Sequence, residues 1–197
     1  MLALAGCDSG SEAGSPAAGG PSVIAPGKPG EAAETLSAEE AEKRRSDDDT
    51  PNTADLAYAR MMITHHAQAL EMAELAPKQA RSGAVRRIAE RIAAAQGPEI
   101  AAMKSWLKTN GRVGASAGHD HAAMPGMATK AQLKELRATE GGAFDRLFLR
   151  LMITHHDGAI RMATDVKAQG NNIRIEEMAD DVIAQQTTEI SRMRAMS

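Results

Sequence analysis

The most constraining feature of this sequence is an internal repeat with an offset of 90 residues. Residues 58–66 read YARMMITHH, and residues 148–156 read FLRLMITHH. The same offset continues into the following segment, where it relates the motif QGPEIAAM at 96–103 to QTTEISRM at 186–193. A constant offset over two successive segments indicates that one helical hairpin has been duplicated. Because neither hairpin can bury its apolar stripe alone, the repeat predicts an all-α four-helix bundle with a pseudo-twofold axis.

Capping patterns and helix-breaking residues divide this predicted bundle, which covers residues 52–197. In the second half, Thr129-x-x-Gln132 is typical of a capping box that opens a helix. The pair Gly141-Gly142 should interrupt that helical segment before its main run. The predicted parts are a first hairpin (52–110), a loop rich in Met and His (111–128) and a second hairpin (129–197).

The amino-terminal segment differs in composition from the rest of the chain. Leu4-Ala5-Gly6-Cys7 resembles the lipobox of bacterial lipoproteins, so we interpret residues 1–7 as the remnant of a lipoprotein signal with Cys7 as the lipidated residue. A chance cysteine after small residues is the alternative. Residues 8–51 are rich in Gly, Ser, Pro and Ala without apolar periodicity, which predicts a disordered tether. The expected location is the extracytoplasmic face of a bacterial membrane, with the lipid as the only membrane contact.

Composition excludes several other classes of function. The net charge is -3 and aromatic residues make up 2% of the chain, which argues against a nucleic-acid partner. A single cysteine excludes an intramolecular disulfide and a cysteine-based zinc site. By contrast, 12 methionines and six histidines are many for a chain of 197 residues.

These histidines and methionines lie on predicted inward helix faces. With 100° per residue, Met62, His65, His66 and Met72 fall on the apolar half of the first helix, and the repeat gives the equivalent set on the third. Four polar residues interrupt the apolar stripes of the second and fourth helices, where we expect them to support the histidines by hydrogen bonds. The predicted ligands are His65, His66, His155, His156, Met62, Met72, Met152, Met162, Met103 and Met193, and the supporting residues are Gln96, Glu99, Gln186 and Glu189.

The chemistry of this side-chain set favours a soft metal ion. Thioether and imidazole together suit Cu(I), and Ag(I) as its mimic, better than Zn(II) or Mg(II). The alternative is that these residues only fill the core, since methionine is a common gap filler. In the loop between the hairpins, we predict a looser and more exposed auxiliary capture site, or else a flexible linker without a site. The residues of this auxiliary site are His119, His121, Met124 and Met127.

These motifs resemble the bacterial domain of unknown function 305 family. The resemblance rests on the two Met-Ile-Thr-His-His runs, on the two Gln-x-x-Glu-Ile-x-x-Met elements and on the loop Met124-Pro125-Gly126-Met127. It covers about residues 52–196. It implies a ferritin-like fold, export from the cytoplasm and, as in some members of the family, copper binding and copper tolerance.

The sequence therefore predicts an extracytoplasmic Cu(I)-binding protein that serves copper buffering, storage or tolerance. One alternative is a structural or interaction module that binds no metal. Another, less favoured, is a di-iron oxidoreductase, a class that requires Glu-x-x-His on paired helices. Here Met62 and Met152 occupy the positions of those glutamates, so we predict a binding protein rather than an enzyme. Besides the metal ion, the expected partners are a second copy of the chain and a copper-transfer protein of unknown identity.

Overall fold

The computed structural model describes residues 22–25, 33–40, 49–111 and 124–196, and it divides into two units after Asp47. In the first unit, β1 (Ser22–Ala25) and β2 (Glu34–Ser37) pair in antiparallel orientation, with Ile24 opposite Thr35. These stretches lie within the tether that was predicted to lack regular structure. The difference follows from β-branched residues such as Ile24 and Thr35, which favour strands.

The first hairpin of the second unit consists of α1 (Thr53–Ala73), α2 (Ala76–Gln79) and α3 (Gly83–Asn110). A capping box opens α1: the Asn52 side chain accepts from the backbone N–H of Asp55, and the Asp55 carboxylate accepts from the N–H of Asn52 at 2.9 Å. This arrangement satisfies donors that the first turn of a helix leaves unbonded.

The second hairpin consists of α4 (Lys130–Ala138), α5 (Gly141–Gln169) and α6 (Ile173–Arg194). The predicted capping box at Thr129 and Gln132 is present at the start of α4. A break occurs close to the predicted one, at Thr139 and Glu140, but Gly141 and Gly142 are the first residues of α5 and do not themselves interrupt the helix.

The two hairpins pack through an antiparallel contact between α1 and α5. The Asn52 side chain, at the start of α1, donates to the Gln169 carbonyl at the end of α5 over 2.8 Å. Helix α3 packs on α1, and α6 packs on α5. The predicted all-α bundle built from two helical hairpins is therefore confirmed. Within the described residues, no helix is long and apolar enough to cross a membrane.

The interior of this bundle is divided by buried polar residues into two apolar clusters. The first cluster surrounds Phe144 and Phe148, and the second surrounds Leu56 and Trp106. Each of the four long helices contributes to both clusters, and its polar residues lie between the two contributions. We call these residues the polar layer: His65, His66, Gln96, Glu99, His155, His156, Gln186 and Glu189.

Candidate metal centre

The polar layer brings all four predicted histidines into the centre of the bundle. Their side chains are completely buried, and so are the amides of Gln96 and Gln186. The carboxylate of Glu189 is 1% exposed, whereas that of Glu99 is 24% exposed. The inward orientation expected for the four histidines from helical periodicity agrees with their burial, and the structure brings them into one layer with Gln96, Glu99, Gln186 and Glu189.

Two histidines of the layer are held by carboxylates. His66 Nε2 lies 2.7 Å from Glu99 Oε2, and His156 Nε2 lies 2.7 Å from Glu189 Oε2. Since a carboxylate only accepts hydrogen bonds, Nε2 must carry the proton in both pairs. A neutral imidazole in that tautomer leaves the lone pair of Nδ1 available to another partner.

The other two histidines pack directly on each other. The ring centroids of His65 and His155 are 3.7 Å apart, and the ring planes are tilted by 34°. His65 Nε2 donates to the Pro125 carbonyl over 3.0 Å, which fixes the same tautomer as in the carboxylate-bound pair. Neither ring nitrogen of His155 has a partner at good hydrogen-bond geometry among the described residues, although the His65 backbone lies close enough to raise the pKa of His155 slightly against the effect of burial.

Burial keeps both of these central imidazoles uncharged at neutral pH. Burial lowers the pKa of His65 to about 4, against the opposing effect of the Pro125 carbonyl, and the proximity of the titratable rings of His66 and His156 adds a smaller lowering. Burial also holds the pKa of His155 well below its usual range, with His65 adding to the effect. The neutral form is the one that binds a metal ion.

The layer contains many buried polar atoms without a hydrogen-bond partner. Leaving such an atom unsatisfied costs on the order of 1–3 kcal/mol. A donor set of this kind fits a bound cation, because these imidazole nitrogens and amide oxygens are buried together at the same level of the bundle. Among the described residues, the layer atoms concerned are Nδ1 of His65, His66, His155 and His156, Nε2 of His155, both amide atoms of Gln96 and Gln186, and Oε1 of Glu189.

The predicted methionine ligands are all buried, but they do not meet at one point. Three belong to the first apolar cluster and three to the second, on opposite sides of the polar layer. The 90-residue offset relates each methionine of one cluster to a methionine of the other cluster, so the six thioethers follow the pseudo-twofold symmetry of the bundle. The first cluster contains Met72, Met152 and Met193, and the second contains Met162, Met62 and Met103.

The loop before α4 behaves differently from the sequence prediction. Met124 is 6% exposed and belongs to the second apolar cluster, and Met127 packs against that cluster. Both were expected in a loose and exposed site, but apolar thioether side chains are more stable in the core than in water. His119 and His121 lie outside the described residues, as does Cys7.

This loop packs against α1 and α5, where it contacts Gln68 and Gly158. A Cβ atom at Gly158 would overlap the Pro125 carbonyl and lie 2.8 Å from the Cα of Gly126, so only glycine permits the contact. Gly126 itself has a φ of 79°, which favours glycine. On α1, the Gln68 amide exchanges two hydrogen bonds with the backbone of Ala128, at 2.7 and 3.0 Å. The loop thereby holds the Pro125 carbonyl against His65.

A sequence profile described as "Domain of unknown function (DUF305)" matches residues 55–197. The chain belongs to the DUF305 family. No curated protein is similar enough to match. Among solved structures, a DUF305 fragment from Deinococcus radiodurans is 29% identical with a TM-score of 0.66, and the match covers 74% of this chain and 95% of that one. A candidate secreted DUF305 protein from Streptomyces coelicolor is 30% identical with a TM-score of 0.66, covering 73% and 89%.

A further similar structure is that of CopM in its Cu(I)-bound form. CopM is 30% identical to this DUF305 chain with a TM-score of 0.60, and the match covers 72% of this chain and 94% of CopM. CopM has also been solved in Cu(II)-bound, Ag-bound and apo forms. The similarity therefore extends to a protein whose structures contain the predicted metal and its mimic.

Sequence reasoning missed two side chains of this DUF305 chain that lie close to the layer. Tyr58 is 2% exposed and its hydroxyl has no hydrogen-bond partner. Met178 packs against the second apolar cluster. The repeat contained a signal for both, because the offset pairs Tyr58 with Phe148 and Met178 with Ile88, so each differs in chemistry from its counterpart.

Proposed function

We propose that the polar layer and its flanking methionines bind Cu(I), with Ag(I) as a mimic, and that the protein buffers or stores copper outside the cytoplasm. The observation that carries this proposal is the set of unpartnered imidazole nitrogens in the layer. His65, His66 and His156 each commit Nε2 to an acceptor and leave Nδ1 without one. In His155, both ring nitrogens are without an acceptor or donor partner among the described residues.

The carboxylate contacts support this function because of what they do to the rings. A ligating histidine usually donates its second N–H to a carboxylate or carbonyl, which orients the ring and raises its basicity as a ligand. Glu99 and Glu189 occupy that position for His66 and His156, and the Pro125 carbonyl does so for His65.

The identity of the ion follows from which donors lie together. Within the described ranges, no three His, Cys, Asp or Glu side chains are grouped closely enough to hold a metal ion. The buried soft and borderline donors in and around the layer are imidazoles and thioethers, and this combination favours Cu(I) and Ag(I) over zinc or iron. The similarity to CopM, solved with Cu(I), Cu(II) and Ag, supports the same choice.

The two alternative functions account less well for these contacts. A carboxylate-bridged iron site needs carboxylates as ligands, but Glu99 and Glu189 are hydrogen bonded to histidines. A module without metal would keep the unpartnered atoms buried at a cost of about 1–3 kcal/mol each.

The proposed location is extracytoplasmic, with the bundle tethered through residues 8–51 to a lipid on Cys7. The lipobox-like motif supports the anchor, and the candidate secreted neighbour from Streptomyces coelicolor supports export. Incorporation of a radiolabelled fatty acid by the protein, and its loss in Cys7→Ser, would test the anchor.

The direct test is an anaerobic titration of the full chain with Cu(I) against a coloured Cu(I) chelator. We expect the protein to withhold at least one equivalent and the His65→Ala/His155→Ala variant to withhold less. The matched control is His119→Ala/His121→Ala, which keeps every residue of the layer and removes the two histidines predicted for the auxiliary site, so any equivalents that it loses belong to that site. A folded protein that withholds none would overturn the copper function. A loss only in the control variant would place binding outside the layer.

A further inference from the structure

A cavity of about 220 Å³ lies between α3 and α6, beside the polar layer. It is bounded by one residue of α1 and by residues from the second half of α3 and the first half of α6. The residues that bear on its chemistry are Tyr58, Glu99, Met103, Arg174, Met178 and Asp181.

The cavity presents both hard and soft donors for a cation. Glu99 and Asp181 supply carboxylates, and Met103 and Met178 supply thioethers. The Tyr58 hydroxyl is buried without a hydrogen-bond partner, so a polar ligand in the cavity would satisfy it. Burial and the nearby charge of Glu99 raise the pKa of Tyr58, which keeps the hydroxyl neutral and able to donate its lone pair.

The electrostatic surroundings of the cavity also favour a cation. Asp181 is an exposed acidic residue that lines the cavity, whereas its neighbours Glu176 and Asp180 pair with Lys167. Arg174, the one basic side chain among the residues that line the cavity, is paired with Glu177 at 2.8 Å. Acidic residues around a cleft raise the local concentration of cations and accelerate their arrival.

One residue connects this cavity to the polar layer. Glu99 lines the cavity and accepts the hydrogen bond of His66 at 2.7 Å. The pseudo-symmetric position lacks the same donors, because Phe148, Ile88 and Arg91 replace Tyr58, Met178 and Asp181. In addition, the carboxylate at the position equivalent to Glu99, that of Glu189, is only 1% exposed to solvent.

We propose that this cavity is a capture site at which a soft monovalent cation binds before it reaches the histidines of the polar layer. Asp181 and Met178 bind the incoming ion at the mouth, and Glu99 and Met103 receive it next to His66. The inference rests on the proposed copper function and assigns it an asymmetric route, past the His66–Glu99 pair and not past the His156–Glu189 pair.

The test measures the rate of Cu(I) transfer to the full chain from a coloured Cu(I)–chelator complex under anaerobic stopped-flow conditions. Met178→Leu/Asp181→Asn should load about tenfold more slowly than the parent, the lower end of what charged clefts contribute to association. The same number of Cu(I) equivalents should be bound at the end, since the layer is unchanged. Asp180→Asn is the matched control, because it removes a neighbouring charge that pairs with Lys167 away from the cavity lining.

The outcomes separate this inference from the function on which it rests. Slow loading with parental equivalents, and a control that loads at the parental rate, would support the capture site. A variant that loads at the parental rate, or a control that slows as much as the variant, would overturn it while leaving copper binding intact. A parent that withholds no Cu(I) would overturn the copper function and the capture site together.

Discussion

The two halves of the bundle contain the same histidine–carboxylate pair in different surroundings. His66–Glu99 and His156–Glu189 have equal Nε2–Oε2 distances of 2.7 Å, but the first carboxylate is 24% exposed and the second 1%. Beside the first pair lies a cavity with the Tyr58 hydroxyl, and the repeat places Phe148 at the corresponding position of the second. The positions that are identical in the two copies thus determine the contact, whereas positions at which the copies differ determine its access to water.

The central histidines differ in a second way. His65 is held by the Pro125 carbonyl at 3.0 Å, whereas no described residue holds the ring of its counterpart His155 at comparable hydrogen-bond geometry. The loop that supplies this carbonyl is present once in the chain, so it cannot serve both copies equally. The asymmetry of the centre therefore comes from a segment between the repeats.

The largest expected effect compares the two carboxylates. Glu189→Ala should lower the free energy of unfolding by about 3 kcal/mol, because it leaves the buried Nε2–H of His156 without an acceptor. Glu99→Ala should cost about 1 kcal/mol, because water can reach His66 through the adjacent cavity. Urea unfolding of both metal-free variants, followed by circular dichroism, measures the difference. Equal losses would mean that exposure of the carboxylate does not distinguish the halves.

A smaller effect is expected where the loop meets α5. Gly158→Ala should destabilise the protein by about 2 kcal/mol, because the added methyl overlaps the Pro125 carbonyl and must displace the loop. The pKa of His65 should change at the same time, which a histidine NMR titration would detect. The matched control is Gly142→Ala on the same helix, where the nearest atom to the new Cβ is a flexible arginine terminus at 3.6 Å. The control should be neutral or slightly stabilising, and a similar loss in both variants would argue against the loop contact.

The third expected effect, the smallest when it is expressed per pH unit, concerns acid sensitivity. The pKa of His65 is about 4 in the folded protein and near 6.5 when unfolded, so between these values the unfolded chain binds more protons. The stability that this neutral histidine contributes is complete above pH 6.5 and is lost as the pH falls toward 4. His155, whose pKa is also lowered, adds a second contribution of the same sign.

The variant His155→Leu separates the two contributions. It should reduce the pH slope of unfolding free energy by up to about 1.4 kcal/mol per pH unit between pH 6.5 and 4. Urea unfolding of the metal-free parent and variant at several pH values tests this. The titration of carboxylates contributes to the slope of both proteins, so the difference between the two slopes reports on His155. An unchanged slope would mean that His155 titrates normally in the folded state.

The fold and the positions of the site residues could be predicted because they follow from periodicity. The 90-residue offset and the inward angles of His65 and His155 require only helical geometry. The capping boxes at Asn52 and Thr129 could be read from residues three positions apart. Such local rules act within one or two helical turns, so the sequence contains them directly.

The remaining features depend on contacts between distant segments. The residues around Pro125 in the sequence do not indicate that its carbonyl contacts His65. That contact depends on a distant residue, Gly158, where any side chain would overlap the Pro125 carbonyl. The separation of the methionines into two clusters likewise follows from the antiparallel packing of α1 and α5. The burial of Met124 was predicted incorrectly because a loop composition gives no information about what the loop packs on.

The exchange of methionines between the two clusters bears on the origin of the chain. One hairpin supplies Met72 to the first cluster and Met62 and Met103 to the second, so a lone hairpin would complete neither. An ancestral gene that encoded a single hairpin would have produced a working interior only by pairing two identical subunits. After fusion of the two genes, the two copies could differ in sequence, so that one carboxylate became partly exposed to water while the other stayed buried.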